Sequence, residues 1–261
     1  MHIDGISLKK YKDNTILCKI ETFSDEVKQT IRNEILSIAH GETAQYFSYQ
    51  NTLRQLIEIY GGNKNRIKGM IGELLAHILI NKELENFDSM SCLMNLEENS
   101  FKKGFDIVYY CKEDHEMWYT EVKSGSTTPK KRTSTQGTIT LLKRAKSDLK
   151  NKITNNNSKL WQNAINHAYI KAATSHNIKE ILQMLSDARN ANPKLKENYK
   201  NVILTSVLYY DTSSEIDYNI VDDFHASLKN SPFQKIIIFA IHKNTYLAVK
   251  NFIYQEAGYD V

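Results

Sequence analysis

Apolar residues recur along the chain with two different spacings. Steps of three and four residues predict helices, and alternation of apolar and polar residues predicts strands. The predicted helices cover residues 24–39, 42–60, 65–81, 138–153, 161–185 and 245–255, and Gly61-Gly62 predicts the end of the second. The predicted strands cover residues 15–20, 88–96, 105–111, 117–124, 201–210 and 234–242.

The order of these elements predicts the fold class. Helices dominate the first eighty residues, three short strands follow, and a helix precedes the remaining strands. This order is typical of an α/β fold of the α+β type, in which helices flank both faces of a mixed sheet.

Two neighbouring predicted strands, residues 105–111 and 117–124, each carry a carboxylate. A tight turn at Glu113-Asp114 would make them an antiparallel hairpin and set Asp106 opposite Glu121. Their Cβ atoms would then lie about 4.5–5.5 Å apart. Lys123 follows Glu121 by two residues, so it projects from the same face of the strand.

Two carboxylates that face each other destabilise a hairpin unless a cation compensates them. The adjoining apolar residues Ile107, Val108 and Val122 indicate that the pair is not freely solvated. Lys123 supplies one positive charge and a divalent cation would supply two, and oxygen ligands of this kind suit Mg²⁺, with Mn²⁺ as the alternative. A surface hairpin with scattered charges is the simpler interpretation.

Glu73 is a further candidate on the predicted helix at residues 65–81. It lies outside the main apolar stripe of that helix, on a second face that is also small and apolar. A helix covered on both sides would bury Glu73, and a buried carboxylate needs a partner. An exposed glutamate on a one-sided helix is the alternative. We expect His77, one turn further on, to be a hydrogen-bonded packing residue.

A basic segment follows the carboxylates. Residues 123–152 contain nine Lys or Arg residues and one acid, Asp148, although the net charge of the whole chain is only +4. Its cations include Lys130, Lys131 and Arg132 in a predicted loop and Lys143 and Arg144 on the predicted amphipathic helix. These side chains are candidates for binding the DNA backbone. A solvated basic face, or a nuclear-targeting signal in the loop, is the alternative.

Composition excludes several other classes. The three cysteines have no C-x-x-C spacing and the eight histidines have no ligand-like grouping, which argues against a disulfide framework or structural zinc. We therefore expect core thiols and a reducing cytoplasm. The longest apolar run, Met70 to Ile80, is too short to span a bilayer and no N-terminal signal pattern occurs. No membrane partner is expected.

These residues together predict phosphodiester hydrolysis. Asp106 and Glu121 would hold a metal ion that activates water and neutralises charge on a phosphate, and Lys123 would position the water or stabilise the same charge. The alternative from a different class is a noncatalytic DNA-binding scaffold, in which the carboxylates serve only folding.

Asp106 and Glu121-Val122-Lys123, with Glu73 before them and an amphipathic helix after them, resemble the PD-(D/E)xK nuclease superfamily. The resemblance implies a restriction-endonuclease-like core of helix, three antiparallel strands, helix and strand, with a metal-binding Asp and Glu and a catalytic Lys. Phe105 stands where the family name has proline. We expect a strand and helical extension at residues 1–62 and the nuclease-like domain, with a C-terminal elaboration, at residues 63–261.

A narrower resemblance rests on Ile71-Gly72-Glu73-Leu74-Leu75, Gly104-Phe105-Asp106 and Glu121-Val122-Lys123-Ser124-Gly125. Together these motifs look like the HamA-type nuclease subunit of Hachiman antiphage defence. The resemblance implies a Mg²⁺-dependent deoxyribonuclease that works with a helicase subunit and is restrained until phage or damaged DNA is sensed. A restriction or repair endonuclease with the same site is the alternative.

Overall fold

A computed structural model describes residues 3–11, 14–94, 104–126, 133–155, 158–209 and 212–260. The strands are β1 Ile6–Tyr11, β2 Thr15–Ile20, β3 Phe87–Ser89, β4 Ile107–Cys111, β5 Glu116–Gly125, β6 Lys200–Tyr209 and β7 Phe233–Lys243. The α-helices are α1 Asp25–His40, α2 Tyr49–Tyr60, α3 Lys64–Glu83, α4 Ser134–Thr154, α5 Ser158–Lys171, α6 Ile178–Asn190, α7 Tyr218–Ala226 and α8 Tyr246–Glu256. Short 3₁₀ helices cover Gly41–Tyr46, Lys196–Asn198 and Ser227–Asn230.

The strands form one sheet in the order β1-β2-β7-β6-β5-β4-β3. The four central strands β2, β7, β6 and β5 are parallel. The antiparallel pairs lie at the two edges, where β1 pairs with β2 and where β5, β4 and β3 pair in succession. The sheet is therefore mixed, and the predicted fold class is confirmed.

Helices cover both faces of this sheet, and each face has its own apolar core. Residues of α1, α2, α3 and α8 form the core on the first face. Residues of α4, α5, α6 and α7 form the core on the second face. Two-sided coverage explains why the parallel strands are almost continuously apolar.

The N-terminal residues belong to the same sheet. β2 pairs in parallel with β7, and α1 and α2 share an apolar core with α3 and α8. An ion pair of 2.9 Å between Arg32 and Glu256 also joins α1 to α8. The predicted division of the chain between residues 62 and 63 stays a prediction.

The hairpin of β4 and β5 has the predicted register. Ile107 pairs with Thr120 and Val108 with Tyr119, so the next pair in this register is Asp106 and Glu121. The connecting turn covers residues 112–115 and contains Glu113-Asp114 as predicted. Because alternate residues of a strand share a face, Glu121 and Lys123 project to the second face, where Tyr119 packs in the core beside α4.

Several predicted boundaries are wrong. The helix predicted at residues 42–60 is a 3₁₀ helix followed by α2, because the Ser48 side chain accepts a hydrogen bond from the Asn51 amide and starts a new helix. The helix predicted at 161–185 is divided into α5 and α6. In its described part, the strand predicted at 88–96 ends at Ser89. No helix in the described ranges is both long and apolar enough to cross a membrane.

Two predictions about packing residues are confirmed. Cys18, Cys92 and Cys111 are buried thiols without a disulfide. His77 is buried, and its Nε2 lies 2.5 Å from the Ser89 hydroxyl oxygen, within hydrogen-bond distance. These residues stabilise the fold and do not form part of the charged cluster described next.

Candidate active site

Glu121 is the centre of a charged cluster on the second face of the sheet. Its side chain is 1% exposed, and each carboxylate oxygen accepts a hydrogen bond from a lysine. The Lys123 Nζ lies 2.7 Å from Oε1 and the Lys152 Nζ lies 2.6 Å from Oε2. Two ammonium groups therefore compensate a carboxylate that would otherwise be costly to bury.

Asp106 immediately precedes β4 and is half-buried. Its Oδ2 accepts a hydrogen bond of 2.7 Å from the Val122 amide, which ties Asp106 to β5. Its Oδ1 lies 3.5 Å from the Lys152 Nζ. The structure thus brings the carboxylates of Asp106 and Glu121 to one shared cation, on the same side as Lys123.

Helix α4 supplies two members of the cluster that the sequence analysis missed. Asp148 pairs with Lys123 at 2.8 Å, and Lys152, four residues later, contacts both carboxylates. Residues four apart lie on one face of a helix, so α4 presents both groups to β5. The signal was available in the sequence: Asp148 is the one acid in the basic segment and stands four residues before a lysine.

Glu73 lies on α3, which packs on the face of the sheet opposite to Glu121. It is half-buried on α3, which packs closely on β5 because Gly72 lacks a side chain. A Cβ atom at Gly72 would lie only 2.7 Å from the Ser124 Cβ. Glu73, Asp106 and Lys123 all line one cavity of about 350 Å³, together with Tyr60. Glu73 therefore shares a cavity with two of the other predicted site residues.

The pKa values of the cluster reflect burial and mutual charge. Burial, and next the charge of Asp106, raises the pKa of Glu121 to about 7, while Lys152 and Lys123 act in the opposite direction. Burial lowers the pKa of Lys123, but Glu121 and Asp148 more than offset this effect and raise it overall. Burial also lowers the pKa of Lys152, but the charges of Asp106 and Glu121 outweigh this effect and raise the pKa overall. Both lysines are therefore charged at neutral pH.

The carboxylate pair suits a hard divalent cation. Within the described ranges, no group of three or more His, Cys, Asp or Glu side chains is gathered as a metal cluster. Asp106 and Glu121 nevertheless converge on a single positive charge, the Lys152 Nζ. Mg²⁺ commonly uses one or two protein carboxylates and retains several waters. Asp106 and Glu121 therefore fit such an ion, with Glu73 available across the adjoining cavity.

The predicted DNA-binding residues are only partly described. Lys143 and Arg144 are exposed on α4. Arg144 precedes Asp148 by four residues and so lies one turn away on the same helix face. Lys130, Lys131 and Arg132 lie outside the described residues. The DNA-binding role of all five cations stays a prediction.

Three comparisons with known proteins bear on this site. A search of curated proteins found no match, and a search of solved structures found none. A family model described as HamA matches residues 4–257. The matched range includes both carboxylates, both lysines and Glu73. Because this match covers nearly the whole chain, the protein belongs to the HamA family, the family of the Hachiman antiphage-defence component.

Proposed function

We propose that this protein is a metal-dependent nuclease that hydrolyses DNA phosphodiester bonds as the effector of a Hachiman-type defence system. The observation that carries the proposal is the convergence of Asp106, Glu121 and Lys123 at one end of a hairpin. Membership of the HamA family supports the defence setting. The cavity beside the convergence provides space for a substrate group.

Asp106 and Glu121 would hold Mg²⁺ or Mn²⁺, with Glu73 assisting from the cavity side. When bound, such an ion lowers the pKa of a water and neutralises charge on a phosphate. The protein itself fixes the two carboxylates. The Val122 amide orients Asp106, and the strand register holds Glu121 opposite it.

Lys123 is the proposed catalytic lysine. It lines the cavity, and Glu121 and Asp148 hold its ammonium group from two sides at 2.7 and 2.8 Å. Its raised pKa keeps it protonated at neutral pH. A fixed ammonium group at this place can orient the attacking water or stabilise negative charge that develops on the phosphate.

Positive charges around the cavity would position the DNA backbone. Arg66 lines the same cavity as Lys123. Lys143 and Arg144 lie exposed nearer the start of α4, and Arg144 is separated from Lys152 by about 12 Å along the helix axis. Contacts to phosphates fix the register of a nucleic acid without reading its sequence. We propose the same role for Lys130, Lys131 and Arg132.

A helicase subunit is the proposed protein partner. Family membership supports a multi-subunit defence complex. In such a complex the helicase would deliver DNA to the nuclease site and restrain cleavage until phage or damaged DNA is engaged. The proposal is therefore tested with the protein alone and with any helicase encoded beside its gene.

The test is cleavage of plasmid DNA with Mg²⁺, with and without a chelator. We expect the protein, alone or with its helicase, to cleave, and the chelator to stop cleavage. Glu121→Ala and Lys123→Ala should each abolish it. Glu116→Ala is the matched control, because Glu116 lies on the same strand but pairs with Lys235. Cleavage that survives both site substitutions would exclude this mechanism.

A noncatalytic DNA-binding scaffold is the second candidate function. It is favoured by the saturation of Glu121 with two lysine partners, which is sufficient to stabilise the fold without any metal. This candidate predicts DNA binding without cleavage under every condition of the same assay. A restriction or repair endonuclease would cleave DNA with the same residues. A methyltransferase gene beside the gene of this protein would favour the restriction interpretation.

A further inference from the structure

Lys152 joins the two carboxylates from a different element. It lies near the end of α4, and its Nζ is 2.6 Å from the Glu121 Oε2 and 3.5 Å from the Asp106 Oδ1. Its side chain is 25% exposed, so it is in contact with solvent while its ammonium group lies between the acids. Lys150, two residues earlier, is exposed and makes no such contact with a described residue.

The four oxygens of the carboxylate pair are divided between different donors. The Glu121 Oε1 accepts from Lys123, and the Asp106 Oδ2 accepts from the Val122 amide. The other oxygen of each acid is directed at the Lys152 Nζ. A divalent ion would be held by the same two carboxylates that the Lys152 ammonium now contacts.

The two lysines of the cluster are held differently. Lys123 pairs with Asp148 as well as with Glu121, so its ammonium group remains anchored if the charge on Glu121 is shared with another cation. Lys152 pairs with the two carboxylates that a metal would occupy. Asp148 lies one turn back on the same face of α4, where it can receive a displaced Lys152 ammonium.

We propose that Lys152 is a positioning residue that competes with the metal ion for Asp106 and Glu121. Its ammonium holds the two carboxylates together in the metal-free protein and withdraws when a divalent cation binds. This inference rests on the proposed metal-dependent function. It adds that metal affinity is set by a lysine from α4 and that Lys152, unlike Lys123, opposes metal binding.

Calorimetric titration with Mn²⁺ tests the competition directly. We expect Lys152→Met to bind Mn²⁺ about tenfold more tightly than the unmodified protein, because a positive charge next to both ligands has been removed. Lys150→Met is the matched control, since it removes the same charge from the same helix without touching the carboxylates. Its Mn²⁺ affinity should change by less than about twofold, because exposed charges are screened.

Thermal unfolding with and without Mn²⁺ provides a second readout that does not depend on activity. Without metal, Lys152→Met should unfold at a lower temperature, because Asp106 and Glu121 then repel each other with one compensating charge fewer. Mn²⁺ should raise its unfolding temperature more than that of the unmodified protein, and should restore folding if the variant is unfolded without metal.

The outcomes separate this inference from the proposed function. Tighter Mn²⁺ binding and a larger Mn²⁺-induced rise in unfolding temperature for Lys152→Met would support the competition. Equal or weaker Mn²⁺ binding by that variant, with no larger rise, would overturn it and leave the nuclease proposal standing. Absence of Mn²⁺ binding at millimolar concentration in both proteins would overturn the metal-dependent function and the competition together.

Discussion

Lysines are buried in two regions of the sheet, with opposite results. At the end of β7, Lys243 is 0% exposed, no described residue makes a hydrogen bond to its Nζ, and the Tyr209 ring lies 5.0 Å away. Burial lowers its pKa well below the ordinary value. At Glu121, by contrast, two partly buried lysines face carboxylates, which raise their pKa values. We call these the unpaired region and the paired region.

The difference shows which property marks a functional site. A buried lysine without an acid becomes neutral, because desolvation penalises its charge. The lysines of the paired region keep their charge beside a cavity, where a fixed ammonium group can attract a phosphate or compete with a metal ion. Opposite charges brought together, and not burial alone, identify the candidate active site.

Removal of the central charge should have the largest effect on activity. Glu121→Gln keeps the shape of the side chain but removes the charge that would hold a metal ion, so DNA cleavage should fall by about a thousandfold or more. DNA binding should change by less than about threefold, since the basic residues remain. Glu116→Gln makes the same change at the start of β5 and should leave cleavage intact. If Glu121→Gln cleaved DNA within tenfold of the rate of the unmodified protein, the proposal that the paired region is the active site would be contradicted.

Gly72 lies where the two regions meet. A Cβ atom there would be 2.7 Å from the Ser124 Cβ and 3.1 Å from the Tyr209 hydroxyl. Gly72→Ala should therefore push α3 away from β5 and lower the free energy of unfolding by about 1–3 kcal/mol, measured in urea. Gly69→Ala is the matched control on the same helix, because nothing lies within 4 Å of its added Cβ. That variant should gain up to about 1 kcal/mol of helix stability.

Replacement of the unpaired lysine should stabilise the protein. Lys243→Met removes a buried amine that no described residue bonds and keeps the apolar stem, so the free energy of unfolding should rise by about 1–2 kcal/mol in urea. DNA cleavage should stay within about twofold, because Lys243 is outside the charged cluster. Loss of cleavage on this substitution would show that the unpaired region has a role in the reaction.

The smallest effect is the pH dependence of that stabilisation. Between the lowered pKa of folded Lys243 and the ordinary value near 10.5, the unfolded chain binds a proton that the folded chain does not. In this pH window, the free energy of unfolding of the unmodified protein therefore rises with pH relative to that of Lys243→Met. Urea unfolding at about pH 7 and about pH 10 should show the advantage of the variant shrinking at the higher pH. A constant advantage would mean that Lys243 is charged when folded.

The hairpin was predictable from the sequence because strand alternation and a turn determine its register. Apolar positions on both sides of Asp106 and Glu121 fix which residues face each other. The side of the strand on which Lys123 lies could therefore be predicted as well. The same local signals failed at Ser48, whose capping hydrogen bond divides a predicted helix. They also missed β1, where the run Ile6–Tyr11 is short and half of its residues are polar.

Lys152 was not predictable in the same way. Its distance from Glu121 depends on the angle at which α4 packs on β5, and periodicity within a helix does not determine that angle. Burial of Leu149 and Ile153 on α4 fixes which side of the helix meets the sheet and so directs Lys152 to the carboxylates. The contact of Lys152 with the carboxylates depends on packing between α4 and β5. The position of Lys123 depends only on its spacing from Glu121 within one strand.

Anomalous scattering from crystals grown with Mn²⁺ tests the central claim most directly. We predict a Mn²⁺ peak between Asp106 and Glu121, at roughly 2.0–2.3 Å from an oxygen of each carboxylate, with the Lys152 Nζ moved away. Mn²⁺ bound only at other places, with Lys152 still contacting both carboxylates, would contradict the proposed metal-dependent site.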